Sequence, residues 1–286
     1  MLPSLLTLNL ASCDINISSI KFINFTSLNS LDLSSNGINS TIPLWLSKLH
    51  GLMHLNLNQN KLHGRIPDFI GTLSSLSSID LSLNQLSGPI PPSLSSLSSS
   101  LRVLYLSSNK LTGSIPENIG LLTRLQELSF YHNQLSGSIP ESIGLLKRLE
   151  VLDLDNNQLS GNIPISLAQL SNLQGIYLAS NQLSGNIPTF LGQLSNLVAV
   201  SVVSNSFNGV LSEIHFTKLN KLTHLWFSNN SLTLNFSPNW IPPFQLKYFG
   251  ASSCNIAPQF PSLIKKSIDL KSLDLLNSSI RDNIPE

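Results

Sequence analysis

The chain has 286 residues, of which 11% are charged, and its formal net charge is +1. Without a basic stripe to neutralise a phosphate backbone, nucleic acid is excluded as a partner. The longest apolar runs are far shorter than the ~20 residues that a membrane-spanning helix needs.

The chain opens with MLPSLLTLNLASC, which lacks the basic leading segment of a signal peptide. Leu5, Leu8 and Leu10 have the spacing that recurs in the rest of the chain. We therefore interpret this stretch as a first structural repeat, and we expect neither an export signal nor a membrane anchor within these residues.

One unit of the repeat is LQELSFYHNQLSGSIPESIGLLKR, from Leu125 to Arg148. Leu128 and Phe130 alternate with Ser129 as in a very short strand, and Asn133 then turns the chain. A period of about 24 residues with LxxLxLxxN at its head is the leucine-rich-repeat signature. Units, here called coils, begin at Leu5, Leu28, Leu52, Leu76, Leu101, Leu125, Leu149, Leu173, Leu197, Leu222, Leu246 and Leu270.

This pattern predicts a right-handed leucine-rich-repeat solenoid of the α/β repeat class, built mostly from short parallel strands, loops and 3-10 turns. Strand centres are predicted at Leu55–Leu57, Leu104–Leu106 and Leu152–Leu154, on a concave face. The Leu-x-Gly-x-Ile-Pro segments from Leu52 to Asn196 predict a second, smaller sheet. Residues 1–286 are expected to form a single array of about 12 repeats of 23–25 residues, the last one partial, without caps.

An asparagine follows the strand in most coils, and its amide can donate to and accept from backbone groups that the turn leaves unpaired. These ladder asparagines are Asn36, Asn60, Asn84, Asn109, Asn133, Asn157, Asn181, Asn205 and Asn230. Cys13 and Cys254 occupy the same position and are predicted to be buried thiols. Ten coils, or about 48 Å, separate them, so they cannot form a disulfide with each other.

The last third departs from the ideal repeat. The tenth coil, LTHLWFSNNSLTLNFSPNWIPPFQ, lacks both the glycine and the Ile-Pro pair, and the eleventh has Phe260-Pro261 at that position. We expect one continuous stack of coils in which the back face, opposite the predicted strands, is locally altered around Trp240.

Three segments resemble plant leucine-rich-repeat receptor-like proteins, in particular cell-surface immune receptors of the ethylene-inducing-xylanase-receptor kind. They are NGVLSEIHFTKLNKLTHL, FSPNWIPPFQLKYFGASSCNIAPQFPSLIKK and LKSLDLLNSSIRDNIPE. The resemblance covers essentially the whole chain as an internal ectodomain segment. It implies a parent protein on the extracellular side of the plasma membrane, with a co-receptor kinase as a further partner reached through that parent.

No enzymatic chemistry is indicated. Phosphate loops, nucleophile elbows and zinc patterns are absent from the sequence. His50 and His54 have the spacing of a helical metal pair, but they straddle a boundary between a loop and a strand. We therefore predict no catalytic residues, no metal and no cofactor.

The outward positions of the strands are the predicted ligand-binding surface, since exposed Tyr and Trp among short polar groups favour contacts with proteins and peptides. The candidate residues are Tyr105, Glu127, Tyr131, His132, Asp153, Asp155, Tyr177, His224, Trp226 and Tyr248. Asn-x-Ser/Thr sequons, which matter if the parent is secreted, occur at Asn16, Asn24, Asn39, Asn229, Asn235 and Asn277.

Three functions remain open on the sequence. The first is recognition of a peptide, protein or glycan in defence or developmental signalling. The second is a secreted inhibitor of microbial cell-wall-degrading enzymes, similar to polygalacturonase-inhibiting proteins. The third is a truncated receptor fragment without a binding role.

Overall fold

A computed structural model of the chain describes residues 3–15, 25–256, 260–264 and 266–281. The chain divides into two compact units, one formed by Met1–Ser136 with Leu145–Leu149 and the other by Gly137–Gly144 with Glu150–Glu286. Each unit contains strands of a first sheet and strands of a second sheet, and each is described by itself.

The first unit contributes six parallel three-residue strands to the first sheet. They are Thr7–Asn9, Ser30–Asp32, His54–Asn56, Ser78–Asp80, Val103–Tyr105 and Glu127–Ser129. The central residues pair with one another from coil to coil, as Leu31 with Leu55 and Ile79 with Leu104. These central side chains point into the core, where Leu104 is fully buried. The flanking residues of most of these strands are only half-buried, so they form the outward face of the sheet.

The second unit repeats this arrangement with six further parallel strands. They are Val151–Asp153, Gly175–Tyr177, Ala199–Ser201, His224–Trp226, Tyr248–Gly250 and Ser272–Asp274. Ile176 pairs with Val200, and Leu225 with Phe249. The parallel register follows because every coil returns to the same starting point.

The predicted register of the strands is confirmed, although each strand begins one residue earlier than the predicted centre. Leu104 and Leu106 are both fully buried. Leu106 lies just beyond its strand, yet its N–H still donates to the Ser129 carbonyl of the next coil at 2.9 Å. Backbone pairing therefore continues past the formal strand end.

The predicted second sheet is also present, and it extends beyond the six regular coils. In the first unit its strands are His63–Gly64, Gln85–Gly88 and Lys110–Gly113, together with all but the last residue of the strand Gln134–Gly137. In the second unit they are Gln158–Gly161, Gln182–Asn186, Ser206–Leu211, Ser231–Leu234 and Asn255–Ile256. The glycine of the regular strands adopts a positive φ, as at Gly88 with +78°, a conformation that side chains rarely tolerate.

Short 3-10 helices recur along the chain, and each one after the first follows a strand of the second sheet. They are Leu44–Lys48, Asp68–Thr72, Pro92–Leu97, Glu117–Leu121, Glu141–Leu145, Ile165–Gln169, Thr189–Gln193, Glu213–Phe216 and Ser262–Ile264. The proline of the Ile-Pro pair precedes several of them with φ near −70°, as Pro43 does at −71°. Proline suits this place because the first amides of a helix have no partner within the helix.

The ladder asparagines act as predicted. The Asn60 amide nitrogen donates to the carbonyls of Leu33, Leu57 and Asn58 at 3.0 to 3.2 Å. Its oxygen accepts the N–H groups of Asn36 and Ile38 at 3.1 and 3.0 Å. One side chain thus satisfies backbone groups of its own coil and of the preceding coil.

The prediction of a buried thiol is confirmed for Cys254 and wrong for Cys13. Cys254 is buried with 2% of its surface exposed, and its thiol donates to the Phe227 carbonyl at 3.4 Å. Cys13 is exposed, because among the described residues only the following coil packs against it, through Asn36. Both thiols are free.

An aromatic cluster replaces the missing Gly-x-Ile-Pro of the tenth coil. Between Leu234 and Tyr248, a segment that the structure describes throughout, no 3-10 helix forms. Phe236 and Trp240 stack there, with ring centroids 5.2 Å apart and planes at 12°. Phe216 contacts both rings, and Phe227 and Phe244 complete the cluster. The altered segment around Trp240 therefore packs through contacts between its own aromatic rings and that of Phe216, which in turn contacts Phe227.

Within the described part of the chain, none of the helices has the length and apolar character required to cross a bilayer.

Candidate functional site

The candidate residues of the first unit lie in the fifth and sixth coils. Tyr105 ends its strand on the outward face, and its hydroxyl donates to the Glu127 carboxylate. Burial raises the pKa of Tyr105, and the hydrogen bond to Glu127 and the charges of Glu127 and Asp80 raise it further. The phenol is therefore held neutral and fixed in place.

Tyr131 and His132 follow the next strand and are exposed, with ring centroids 5.7 Å apart. His132 has a φ of +55°, and the residue before most ladder asparagines shares this left-handed conformation. His132 thus belongs to the turn, whereas Tyr131, with 39% of its surface exposed, is available for contact.

In the second unit, Tyr177 lies across its own strand. Its ring covers Gly175, because a Cβ added to that glycine would lie only 2.8 Å from Cε2 of Tyr177. Burial raises the pKa of Tyr177, and the carboxylates of Asp153 and Asp155 raise it further. Gly175 was not among the candidates, although a glycine two residues before an outward aromatic is the signal that reveals such support.

Asp153 and Asp155 lie one coil before Tyr177. The Asp155 carboxylate accepts the Ala179 N–H at 2.5 Å, and the Asp153 carboxylate accepts the Asp155 N–H at 3.2 Å. Burial raises the pKa of Asp155 to about 7; the bond from Ala179 opposes this rise and the charge of Asp153 adds to it. Asp155 is thus a carboxyl group that titrates near neutrality.

The rings of His224, Trp226 and Tyr248 form a cluster on two neighbouring strands, here called the aromatic stack after its one stacked pair. The rings of His224 and Tyr248 are 4.7 Å apart and nearly parallel, at 15°. Trp226 lies 5.3 Å from His224 and 6.3 Å from Tyr248. Gly250 makes room for the indole, since a Cβ there would lie 3.1 Å from Cδ1 of Trp226.

Four of the predicted glycosylation acceptors, Asn39, Asn229, Asn235 and Asn277, are exposed. Asn16 and Asn24 lie outside the described residues. Among the described residues, no group of three or more His, Cys, Asp or Glu side chains is arranged to hold a metal ion.

Family comparisons agree with the repeat pattern. A family described as "Leucine-rich repeat region" matches residues 92–283, and one described as "Leucine rich repeat" matches residues 26–86. Receptor-like protein EIX1 of Solanum lycopersicum is 40% identical over 77 residues, which are 27% of this chain and 8% of that protein. Receptor-like protein EIX2 is 38% identical over the same length and shares. The matched stretch thus spans less than a tenth of these relatives.

Solved structures share the fold. The ectodomain of the receptor kinase GASSHO1/SCHENGEN3 from Arabidopsis thaliana, in complex with CASPARIAN STRIP INTEGRITY FACTOR 2, has a TM-score of 0.80 and 34% identity over 87% of this chain and 30% of that chain. The plant peptide hormone receptor RGFR1, in complex with RGF2, has a TM-score of 0.82 and 33% identity over 89% of this chain and 40% of that chain.

A plant ice-binding protein has a TM-score of 0.63 and 26% identity over 90% of this chain and 76% of that chain. Since the same architecture serves a protein with a different role, the fold alone does not decide the function. The family match at residues 92–283 covers well over half of the sequence, so the chain belongs to the leucine-rich-repeat family, in the form carried by plant receptor-like proteins.

Proposed function

We propose that this chain is a ligand-recognition segment of a plant cell-surface receptor-like protein that acts in defence or developmental signalling. It binds a peptide, protein or glycan on the outward face of its first sheet. The similarity to tomato receptor-like proteins and to ectodomains crystallised with peptide hormones supports this role.

The single observation that carries the proposal is the outward face of the second unit. Tyr177 and the aromatic stack present half-exposed rings, and Gly175 and Gly250 leave room for the rings of Tyr177 and Trp226. A rigid ring buries a large area on binding and loses little conformational entropy. By contrast, the outward positions of the second to fourth coils carry Ser, Asp, Asn and one His, as at Asp32, Asn56 and Ser78.

The proposed setting is the extracellular side of the plasma membrane, reached through a longer parent protein in which residues 1–286 form one array of about twelve repeats. The exposed sequons at Asn39, Asn229, Asn235 and Asn277 are compatible with glycosylation in a secreted parent. A co-receptor kinase would then complete the signalling complex.

Substitution within the full receptor tests the proposal. Tyr177→Ala and Trp226→Ala should each weaken elicitor binding by about 1–3 kcal/mol, the range of interface hot spots. Asn56→Ala and Ser78→Ala change the same sheet face outside the aromatic region and should leave affinity nearly unchanged. Calorimetric titration of each variant measures the effect.

Circular dichroism must show that the variants remain folded. Unchanged affinity in all four folded variants would show that the outward face of the first sheet is the wrong surface.

A further inference from the structure

A cleft of about 460 Å³ opens in the second unit, where the strands His224–Trp226 and Tyr248–Gly250 begin. Pro242 and Phe244 form one wall, and both are buried. Phe244 also packs in the aromatic cluster against Phe216 and Trp240. The wall is therefore fixed by the core, and the volume suits one or two side chains of a ligand.

The cleft has a positive charge. Lys221, Lys247 and Lys266 line it together with Asp269, and all four are exposed. Three ammonium groups against one carboxylate leave a net charge of +2 among the lining residues. The Lys221 ammonium is held by the Asn196 side-chain oxygen at 2.7 Å, so one of the three cations has a fixed position.

The cleft adjoins the aromatic stack. Lys247 directly precedes Tyr248, and Thr223, which also lines the cleft, hydrogen bonds to the His224 ring at 2.7 Å. Burial lowers the pKa of His224, and the charge of Lys247 lowers it further. The imidazole is therefore neutral near pH 7 and adds an aromatic surface beside the lysines rather than a fourth cation.

The geometry of the stack favours a side chain over a sugar ring. The 4.7 Å centroid distance between His224 and Tyr248 equals the spacing of neighbouring strands, so the two rings stand side by side on the sheet. One face of each ring is therefore covered by the other, and the Trp226 ring is tilted against both, by 49° and 37°. This arrangement leaves less flat ring face for the stacking of a sugar, whereas an apolar side chain also packs against ring edges.

We propose that this cleft and the aromatic stack together bind an acidic peptide, which places a carboxylate among Lys221, Lys247 and Lys266 and a neighbouring apolar side chain against His224, Trp226 and Tyr248. The inference rests on the proposed function and specifies the ligand class. Opposite charge steers such a peptide to the cleft, and the buried apolar contact retains it.

Surface plasmon resonance with the full chain tests the proposal. The immobilised probes are Gly-Ser-rich dodecapeptides whose centre is Glu-Leu-Glu, Gln-Leu-Gln or Lys-Leu-Lys, together with a uronic-acid decasaccharide. The Glu-Leu-Glu probe should bind about tenfold more tightly than the Gln-Leu-Gln probe near 50 mM salt, and raising the salt to about 300 mM should remove most of the difference.

The double variant Lys247→Gln/Lys266→Gln should lose about tenfold in affinity for the Glu-Leu-Glu probe, together with its salt dependence. The control Lys48→Gln/Lys61→Gln removes two exposed lysines of the first unit and should bind as the unsubstituted chain does. All four positions are exposed, so folding should be preserved, and thermal melting verifies it.

The inference would be overturned if the Glu-Leu-Glu probe did not bind, or if the three peptides bound equally. It would also be overturned if only the decasaccharide bound. Peptide binding that depends on Trp226 but is indifferent to both lysines would also overturn it, while leaving the proposed function intact. Weaker elicitor binding by the full receptor carrying Tyr177→Ala or Trp226→Ala is a separate result, and it tests the proposed function alone.

Discussion

The titration of a single residue, Asp155, makes the stability of the folded chain depend on pH. Its folded-state pKa is raised from 3.8 to about 7, mainly by burial. Between these values the folded chain binds more protons than the unfolded chain. The contribution of Asp155 to stability is therefore complete below about pH 4 and is lost as the pH rises through about 7.

Asp155→Asn should raise the melting temperature at about pH 8 and have a smaller effect at about pH 5. The neutral amide can still accept the Ala179 N–H but carries no buried charge. After allowance for partial exposure, the gain at the higher pH should be about 1 kcal/mol. Scanning calorimetry at both pH values measures it, with Asp80→Asn as the control, since Asp80 accepts the Ser82 N–H at 2.9 Å on the same face. An equal shift at both pH values would contradict the assignment.

Gly175 provides a second test of a single residue. Gly175→Ala places a Cβ about 2.8 Å from the Tyr177 ring, so the ring must move. Overpacking of this kind costs roughly 1–3 kcal/mol. In a Tyr177→Ala background the same change should cost little, because the obstructing ring is gone. Urea denaturation of the four chains of this cycle measures the coupling, and additive effects would show that the ring does not rest on Gly175.

At the scale of the coil, the ladder asparagine joins each coil to the preceding one through hydrogen bonds. The Asn109 amide donates to the carbonyls of Leu81, Leu106 and Ser107, and its oxygen accepts the Leu86 N–H at 2.9 Å. Asn109→Ala leaves these buried groups without partners and should cost about 1–3 kcal/mol or more.

Asn109→Cys should be milder, since Cys254 occupies the equivalent place and its thiol still reaches a carbonyl. Asn239→Ala, at an exposed position, is the control. Chemical denaturation ranks the three variants. A cysteine variant as unstable as the alanine variant would contradict the view that a weak donor suffices.

The repeat period was sufficient to predict the strands, the ladder and the second sheet, because each depends on spacing alone. The aromatic cluster was beyond this reasoning, since Phe216, Phe236 and Trp240 belong to two coils that both depart from the pattern. The lysine cleft was missed for a similar reason. Lys221 ends the ninth coil, whereas Lys247 and Lys266 both belong to the eleventh. All three line one cleft beside the Pro242 segment, which has no helical turn.

At the scale of the whole chain, the first and last described strands differ from the internal ones. Leu273 and Leu225 occupy the same place in their coils, yet 39% of the Leu273 surface is exposed against 1% for Leu225. Leu6 and Leu276 are exposed to 56% and 68%. Apolar side chains beside an open sheet edge favour association between chains.

The 286-residue chain should therefore associate as its concentration rises, and Leu273→Lys/Leu276→Lys should reduce that association. Ile165→Lys, which changes a 74% exposed side chain on a 3-10 helix away from the sheet edges, is the control. Light scattering coupled to size-exclusion chromatography measures the mass. A monomer at every concentration tested would refute the expectation.

The reach of each ladder amide into the preceding coil also determines how the chain yields to a pulling force. Asn205 binds the Leu178 carbonyl at 2.8 Å, and Asn230 binds the Val202 carbonyl at 2.9 Å. When an outermost coil is peeled away, the carbonyl beneath it loses its donor and the next coil becomes the weakest. Extension should then proceed as a series of similar steps, each releasing about 24 residues or roughly 80 Å of chain. The ladder would thus let the protein extend under load one coil at a time, and each coil that ruptures would dissipate part of the applied work.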